Sequence, residues 1–122
     1  MDAYSMLYTR LQNGHRARKQ SITMPHSKKA HTLLTIFQQE QLIAHYQTDG
    51  TTIHVQYQYK GDALTFQQIK RISKPGRRVY SSVSSLSPNG LTILSTPKGM
   101  MTAREARNLG IGGELLCEIR FT

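Results

Sequence analysis

Small hydroxyl side chains, a lysine and a glycine lie together in the run Ser95-Thr96-Pro97-Lys98-Gly99. A hydroxyl both donates and accepts hydrogen bonds, and a short one can enter the shallow minor groove of an RNA helix, where base edges and 2′-hydroxyls are displayed. A turn that satisfies its own backbone has a similar composition. The run therefore predicts either an RNA contact through Ser95, Thr96, Lys98 and Gly99 or a self-contained turn.

A second candidate is basic. Lys74, Arg77 and Arg78 surround the Pro75-Gly76 pair, which predicts a tight turn, and no acidic residue lies near them in the sequence. Contacts from such cations to phosphates position an RNA without distinguishing its bases. The alternative is a solvated charged turn. Tyr80, just beyond, is expected either to stack on a base or sugar or to be half-buried at a strand end.

Lys28 and Lys29 follow Ser27, which predicts a helix that begins with two cations in its first turn. Cations are unfavourable at this end of a helix, because the helix dipole prefers anions there. A phosphate bound at this end would offset that cost. Lys28 and Lys29 are therefore candidate phosphate contacts.

Glu114 comes directly after Gly112-Gly113, and a carboxylate in a basic protein should repel RNA phosphates. It could instead accept hydrogen bonds from base amino groups, brace the neighbouring loop, or be a solvated acid at a strand end. Cys117 is the only cysteine, which excludes an internal disulfide and favours a small buried residue.

Motifs for catalysis are incomplete. Ser95-x-x-Lys98 matches a β-lactamase motif, but Ser-Asp-Asn and Lys-Thr-Gly are missing. Gly110-x-Gly112-Gly113 follows a predicted helix and opens a strand, the reverse of a dinucleotide-binding loop. The five histidines have no metal-ligand spacing. We expect no catalytic residue, metal, cofactor or small-molecule substrate; a hydrolase that uses Ser95 with a histidine is kept as an alternative, which an ester panel would test.

The composition indicates a polyanionic partner. Sixteen Lys and Arg against seven Asp and Glu give the 122 residues a net charge of +9. Self-repulsion of this size is relieved by a polyanion, and nucleic acid is the first expectation. No apolar run approaches the roughly 20 residues that span a bilayer, so no membrane partner is expected.

The periodicity of the first half alternates between helix and strand. Tyr4, Leu7, Tyr8 and Leu11 have helical spacing, which predicts a helix from Ala3 to about Arg18. A short strand, a helix begun by Ser27 and two strands joined at Asp49-Gly50 follow, the last strand running through residues 53–59. This order predicts a two-layer α/β domain of residues 1–62.

The second half is predicted to be mostly strand. Strands are expected at residues 64–72, 79–83, 91–94 and 114–121, with an exposed serine-rich connection at residues 81–89. Alternation in the last strand predicts Leu115, Cys117, Ile119 and Phe121 on one face. Thr102 and Glu105 form a capping box for one short helix that ends at Gly110. The fold class is therefore α+β, with a mostly β domain of residues 63–122.

The motifs described above occur in the order of a known family. The runs 95–102, 103–107 and 110–117 together resemble the C-terminal half of small-subunit ribosomal protein eight, in its bacterial and organellar type. Residues 7–14, 24–28 and 71–80 also follow the family's order, so the resemblance spans the chain. Pro97 stands where many bacterial members have serine, which affects any contact made through that third hydroxyl.

The resemblance implies a function and a site. It implies a structural constituent of the small ribosomal subunit that binds the central domain of small-subunit ribosomal RNA and supports its assembly, next to other ribosomal proteins. The implied specific contacts are Ser95, Thr96 and Glu114. Glu114 would orient the loop of residues 95–99, which we call the hydroxyl loop. The phosphate contacts would be Lys28, Lys29, Lys74, Arg77 and Arg78, with the two domains jointly clamping the RNA.

Two matters stay open at this point. The alternative within RNA binding is a free-standing regulator of structured RNA, which sedimentation with the small subunit would separate from a ribosomal protein. Low acidity and compact ends favour a mitochondrial over a bacterial ribosome.

Overall fold

The structure is a computed structural model that describes residues 3–61, 63–82 and 91–121. The chain divides into two compact units, Met1–Gln67 (unit 1) and Gln68–Thr122 (unit 2). The predicted domain boundary after residue 62 lies five residues before this division. The two domains with these bounds stay a prediction, which limited proteolysis would test.

The part of unit 1 that the structure describes contains two helices and a three-stranded antiparallel sheet. The elements are α1 (Ala3–Arg16), β1 (Ser21–Pro25), α2 (Lys28–Gln39), β2 (Ile43–Thr48) and β3 (Thr52–Tyr57). The strand order is β1-β3-β2, with α1 packed on β1 and α2 on β2. The predicted two-layer arrangement is therefore confirmed.

The elements of unit 1 form where local signals place them. Leu7 and Leu11 of α1 are buried, as their helical spacing predicts. The Ser27 hydroxyl accepts the N–H of Ala30 at 3.1 Å and caps α2. At the β2–β3 hairpin, an Asp49 carboxylate oxygen accepts two backbone N–H groups at 2.8 Å each, which lowers the pKa of that carboxyl. Gly50 has a φ of 92°, which favours glycine.

In its described residues, unit 2 forms a five-stranded antiparallel sheet with one helix. Its elements are β4 (Gln68–Arg71), β5 (Tyr80–Ser81), β6 (Leu91–Thr96), β7 (Gly99–Thr102), α3 (Ala103–Leu109) and β8 (Gly113–Arg120). The strand order is β4-β8-β6-β7, and β5 also pairs with β8. This agrees with the predicted mostly β unit with one short helix.

The helix of unit 2 begins and ends as predicted. Thr102 Oγ1 accepts the N–H of Glu105 at 3.2 Å, and Gly110 ends the helix with a φ of 69°. The apolar side of α3 contributes Ala103 and Ala106 to a buried cluster with Leu94 and Met101. The helix therefore covers one face of β6 and β7.

One strand is shorter than predicted. The sequence indicates a strand over residues 64–72, whereas β4 covers only Gln68–Arg71. The backbone N–H groups of Thr65 and Phe66 donate to His15 Nε2, at 3.2 and 3.4 Å. They are engaged by a side chain from α1 and do not pair with a strand.

A bulge alters the predicted face of β8. Ile93 pairs with Cys117 while Leu94 pairs with Leu115, so the register shifts by one residue between these pairs. Adjacent residues of β6 face opposite sides, and Leu115 and Cys117 therefore do so as well. The prediction that both lie on one face with Ile119 and Phe121 was wrong. Phe121 is also exposed.

The serine-rich connection was predicted at residues 81–89. Ser81 belongs to β5 and Ser82 follows it, while residues 83–89 lie outside the described residues. The strand predicted over residues 79–83 corresponds to β5 only for Tyr80–Ser81.

Candidate nucleic-acid interface

Four residues from four strands form a row across one face of unit 2. Ser95 pairs with Met100 on one side and with Glu114 on the other, and Glu114 pairs with Tyr80. Directly paired residues project from the same face of a sheet. We call Met100, Ser95, Glu114 and Tyr80 the cross-strand row. Ser95 and Tyr80 are exposed, Tyr80 by 70%.

Two glycines allow the strands of the row to approach β8. A Cβ on Gly113 would lie 2.2 Å from the carbonyl oxygen of Ser95, and one on Gly112 would lie 2.2 Å from that of Ser81. Both distances are far below van der Waals contact. Strand packing therefore requires both glycines before Glu114. The pair is visible in the sequence, but the neighbouring strands that approach it are known only from the sheet order.

Glu114 has a cationic partner. Its Oε2 lies 3.1 Å from Nη1 of Arg78, and the Glu114 side chain is 15% exposed against 59% for Arg78. Arg78 directly follows the turn of residues 74–77, which we call the basic turn. The sequence contains no acidic residue near this turn, but the sheet brings Glu114 to Arg78 from 36 residues away. The hydrogen bond given for the Glu114 carboxylate goes to Arg78, while the Glu114 backbone pairs with Ser95; that Glu114 orients the hydroxyl loop stays a prediction.

The basic turn is closed by its own backbone. Lys74 and Arg77 exchange two hydrogen bonds of 2.9 Å across Pro75-Gly76, and Gly76 has a φ of 81°. The Lys74 and Arg77 side chains are exposed. The turn thus presents both cations to solvent.

Ser73 fixes the base of this turn. Its buried hydroxyl accepts the N–H of Val79 at 3.0 Å and donates to the carbonyl of Val79 at 3.3 Å. Sequence reasoning missed Ser73, because a serine before Lys-Pro-Gly is also typical of an ordinary loop. Its bonds connect the turn to the segment that leads into β5.

The hydroxyl loop has one exposed hydroxyl group and one that is hydrogen-bonded within the turn. Thr96 is buried; its Oγ1 donates to the carbonyl of Gly99 at 2.8 Å and accepts the N–H of Lys98 at 3.1 Å. Ser95, Pro97 and Lys98 are exposed. Gly99 has a φ of 114° and pairs with Thr96 to close the β6–β7 hairpin. Ser95 is therefore the accessible hydroxyl, while that of Thr96 stabilises the turn.

The remaining candidates lie in unit 1. Lys28 and Lys29 occupy the first turn of α2, as predicted, and both are exposed. The Lys29 ammonium lies 4.8 Å from the centroid of the Tyr4 ring, a cation–π distance. This contact orients Lys29 and leaves Lys28 directed to solvent at the helix start.

In the described part of the chain, the thiol of Cys117 is buried. No group of three or more His, Cys, Asp or Glu there could hold a metal ion. None of its helices is long and apolar enough to cross a bilayer.

Comparison with known proteins gives a consistent match over nearly the whole chain. The sequence model described as ribosomal protein S8 matches residues 2–120. A small ribosomal subunit protein uS8 from Dictyoglomus thermophilum is 39% identical over 126 residues, which covers 97% of this chain and 96% of the relative. Proteins of the same name from Sinorhizobium fredii and Rhizobium meliloti are each 39% identical over 127 residues, with the same coverage.

Proposed function

The chain belongs to the ribosomal protein S8 family, and from this membership we propose that it is a structural protein of the small ribosomal subunit. We further propose that it binds the central domain of small-subunit ribosomal RNA, supports assembly of that domain and contacts neighbouring ribosomal proteins. Membership in a family of ribosomal proteins also confirms the prediction that the chain is not an enzyme.

The observation that carries the RNA-binding proposal is the cross-strand row. It combines an exposed hydroxyl on Ser95, a carboxylate on Glu114 and an exposed phenol ring on Tyr80. Together these groups can donate, accept and stack, which are the contacts by which proteins recognise RNA base edges and sugars. We assign specific contacts to Ser95, Glu114 and Tyr80.

Arg78 makes a carboxylate compatible with an RNA surface. An unpaired Glu114 would repel phosphates, whereas the Arg78 guanidinium at 3.1 Å neutralises it. A carboxylate oxygen has more than one lone pair, so Glu114 can still accept from a base amino group. We therefore assign Arg78 to positioning and neutralising Glu114, in addition to any phosphate contact.

The exposed cations supply affinity without specificity. Lys74 and Arg77 lie on the basic turn, Lys98 lies on the hydroxyl loop, and Lys28 and Lys29 begin α2. Lys and Arg contacts to phosphates position an RNA and do not read its bases. Thr96 and Gly99 act by shaping the loop that presents Ser95 and Lys98.

The experiment compares Ser95→Ala with Arg77→Gln. Each variant is titrated against a hairpin from the central domain of small-subunit RNA and against an unrelated hairpin, at two salt concentrations. Ser95→Ala should weaken only the first complex, by roughly 5- to 100-fold, because it removes one hydrogen bond to the RNA at a desolvated position. Arg77→Gln should weaken both complexes by similar factors.

The opposite pattern would overturn the assignment. If Ser95→Ala keeps the discrimination between hairpins and Arg77→Gln loses it, the row is only structural. Glu114→Gln provides a further check, since it keeps an acceptor oxygen but removes the negative charge beside Arg78, and should relax discrimination while raising affinity for the unrelated hairpin.

The cellular location follows from the ribosome that contains the protein. The relatives compared above are bacterial and give no support to the mitochondrial location predicted from composition. Sedimentation with the small subunit at moderate salt, after fractionation of the cell, tests both the location and the proposed role. A protein that stays at the top of the gradient would instead be the free-standing RNA regulator.

A further inference from the structure

The hydroxyl of Ser73 closes the segment that contains the basic turn. It accepts the N–H of Val79 at 3.0 Å and donates to the carbonyl of Val79 at 3.3 Å. Two residues that face each other in an antiparallel ladder exchange the same two bonds through their backbones. Ser73 is 5% exposed, so this exchange takes place inside the protein. A single side chain therefore acts here as a strand partner.

Ser73 and Val79 are also bonded to the same residue of β8. The N–H of Ser73 donates to the carbonyl of Leu115 at 3.1 Å, and the N–H of Leu115 donates to the carbonyl of Val79 at 2.8 Å. In addition, Arg71 Nε donates to the carbonyl of Ser73 at 2.7 Å. Ser73 is thus held on β8 by its own backbone, and its hydroxyl is an anchored support for the chain that returns from the basic turn.

Val79 lies between the two residues that meet Glu114. Arg78 Nη1 lies 3.1 Å from the Glu114 carboxylate, and Tyr80, the first residue of β5, pairs with the Glu114 backbone. Alternate residues of an extended segment face the same side. A shift at Val79 would therefore move Arg78 and Tyr80 together, away from Glu114.

Strand β5 is too short to fix this arrangement alone. It consists of Tyr80–Ser81 and pairs with Glu114 and Gly113. Removing the Ser73 hydroxyl would take from the half-buried Val79 N–H the acceptor that it has in this structure. Such a loss costs free energy, which the segment can recover by turning the N–H towards water. The position of β5 should therefore depend on Ser73.

We propose that Ser73 is a positioning residue for RNA recognition. Its hydroxyl holds Val79 so that Arg78 and Tyr80 lie beside Glu114 in the arrangement that distinguishes RNAs. Ser73 is buried and acts through these neighbours. The inference rests on the proposed function, because it takes the cross-strand row as the specific RNA surface.

The test compares Ser73→Ala with Thr102→Ala in the full chain. Thr102 is also buried, and its hydroxyl accepts the N–H of Glu105 at 3.2 Å, so the control removes a similar bond outside the cross-strand row. Ser73→Ala should weaken binding of the central-domain hairpin by roughly 5- to 30-fold, and binding of the unrelated hairpin by less than about twofold. Thr102→Ala should change both by less than about twofold.

Two further measurements separate positioning from general destabilisation. Hydrogen exchange of the Val79 amide should be about tenfold faster in Ser73→Ala and unchanged in Thr102→Ala, because only the first loses the acceptor. Ser73→Thr keeps the hydroxyl and should restore both the slow exchange and the discrimination between hairpins. If Ser73→Ala does not fold, Ser73→Cys replaces it: a thiol accepts more weakly, so discrimination should fall by about two- to fivefold.

Three outcomes would overturn the proposal. The first is full discrimination in Ser73→Ala or Ser73→Cys although the Val79 amide exchanges faster. The second is an equal loss of discrimination in Ser73→Ala and Thr102→Ala, which would indicate general destabilisation. The third is a Ser73→Thr protein with slow exchange at Val79 but no discrimination.

This test fails separately from that of the proposed function. The proposed function is wrong if the native chain itself does not discriminate between the two hairpins. If the native chain discriminates and Ser73→Ala does so equally well, only the role of Ser73 is wrong.

Discussion

At the scale of single residues, neighbouring hydroxyls have different roles. Ser95 and Thr96 are adjacent on β6 and therefore face opposite sides of the sheet. Thr96 lies on the side of Leu94, which α3 covers, and its hydroxyl bonds the turn. Ser95 lies in the row and is exposed. The alternation of the strand thus separates the hydroxyl that we propose to contact RNA from the one that supports the turn.

Thr96→Ala should destabilise the chain by about 1–3 kcal/mol, because two hydrogen bonds within the β6–β7 turn disappear and their partners are left partly buried. Thr96→Ser keeps the hydroxyl and should cost less than half as much. Urea-induced unfolding measures both values. A Thr96→Ala variant with native stability but no RNA discrimination would mean that this hydroxyl contacts RNA directly.

His15 is a buried titratable group in unit 1. Its ring is stacked between those of Phe66, 4.0 Å away, and Tyr59, 5.1 Å away. Burial lowers the pKa of His15 from 6.5 to about 4, and the positive charge of Arg18 acts in the same direction. The N–H of Thr65 donates to Nε2, which must therefore be unprotonated in this structure.

The stability of the chain should consequently fall as the pH is lowered. Between pH 6.5 and pH 4 the unfolded chain binds a proton at His15 that the folded chain does not, so the free energy of unfolding decreases through this window. The loss should be on the order of 2–3 kcal/mol at pH 4. His15→Gln keeps an acceptor for Thr65 but does not titrate.

Urea unfolding at several pH values measures this effect. The slope of the unfolding free energy against pH is compared between the native chain and His15→Gln. Their difference gives the contribution of His15, because the carboxylates that titrate in the same range are present in both proteins. Parallel curves for the two proteins would contradict the assignment.

At the scale of elements, β8 organises the candidate interface. It pairs with β5 at its start, with β4 towards its end and with β6 along most of its length, so the segments that carry Tyr80, Ser95 and the basic turn all depend on it. Gly113 begins β8 and Gly112 precedes it. Neither has a side chain, which leaves room for the carbonyls of Ser95 and Ser81.

Gly113→Ala should separate β6 from the start of β8, since its Cβ would lie 2.2 Å from the Ser95 carbonyl oxygen. We expect a decrease of about 2–4 kcal/mol in stability, typical of overpacking against backbone, together with loss of RNA discrimination. Lys70→Ala changes an exposed position of β4 in the same sheet and should stay within about 0.5 kcal/mol. A fully stable Gly113→Ala protein would show that the sheet can open here without cost.

At the scale of the whole molecule, the strength of the proposed RNA binding should depend on charge. The net charge of +9 comes with exposed cations in both units, including Lys19, Lys28, Lys74 and Arg77. On a bound RNA, cations spread in this way would neutralise several phosphates at once, and each neutralisation would release counterions.

RNA affinity should therefore fall steeply with salt. Each phosphate contact should contribute about 0.9 on duplex or 0.7 on single-stranded RNA to the slope of log affinity against log salt. Dissociation constants measured from low to moderate salt give the slope, and Lys74→Gln with Arg77→Gln should reduce it by about one for each phosphate that is no longer neutralised. A flat dependence would remove the phosphate role from these residues.

The sequence by itself determined the features that depend on near neighbours. Helical spacing predicted α1 and α2, Ser27 and Thr102 predicted two helix starts, and Pro75-Gly76 predicted a turn, because caps, turns and periodicity act over a few residues. The order of its motifs also identified the family, and with it the residues proposed for RNA.

Only the tertiary structure decided the features that join distant residues. Arg78 pairs with Glu114, which is 36 positions away, and Thr65 bonds to His15, which is 50 positions away. Tyr80 and Ser95 are aligned through Glu114 although the three residues lie on three different strands. The bulge that separates Leu115 from Cys117 likewise arises in the pairing of β8 with β6. Strand order and register depend on packing across the whole sheet, and local spacing carries no information on them.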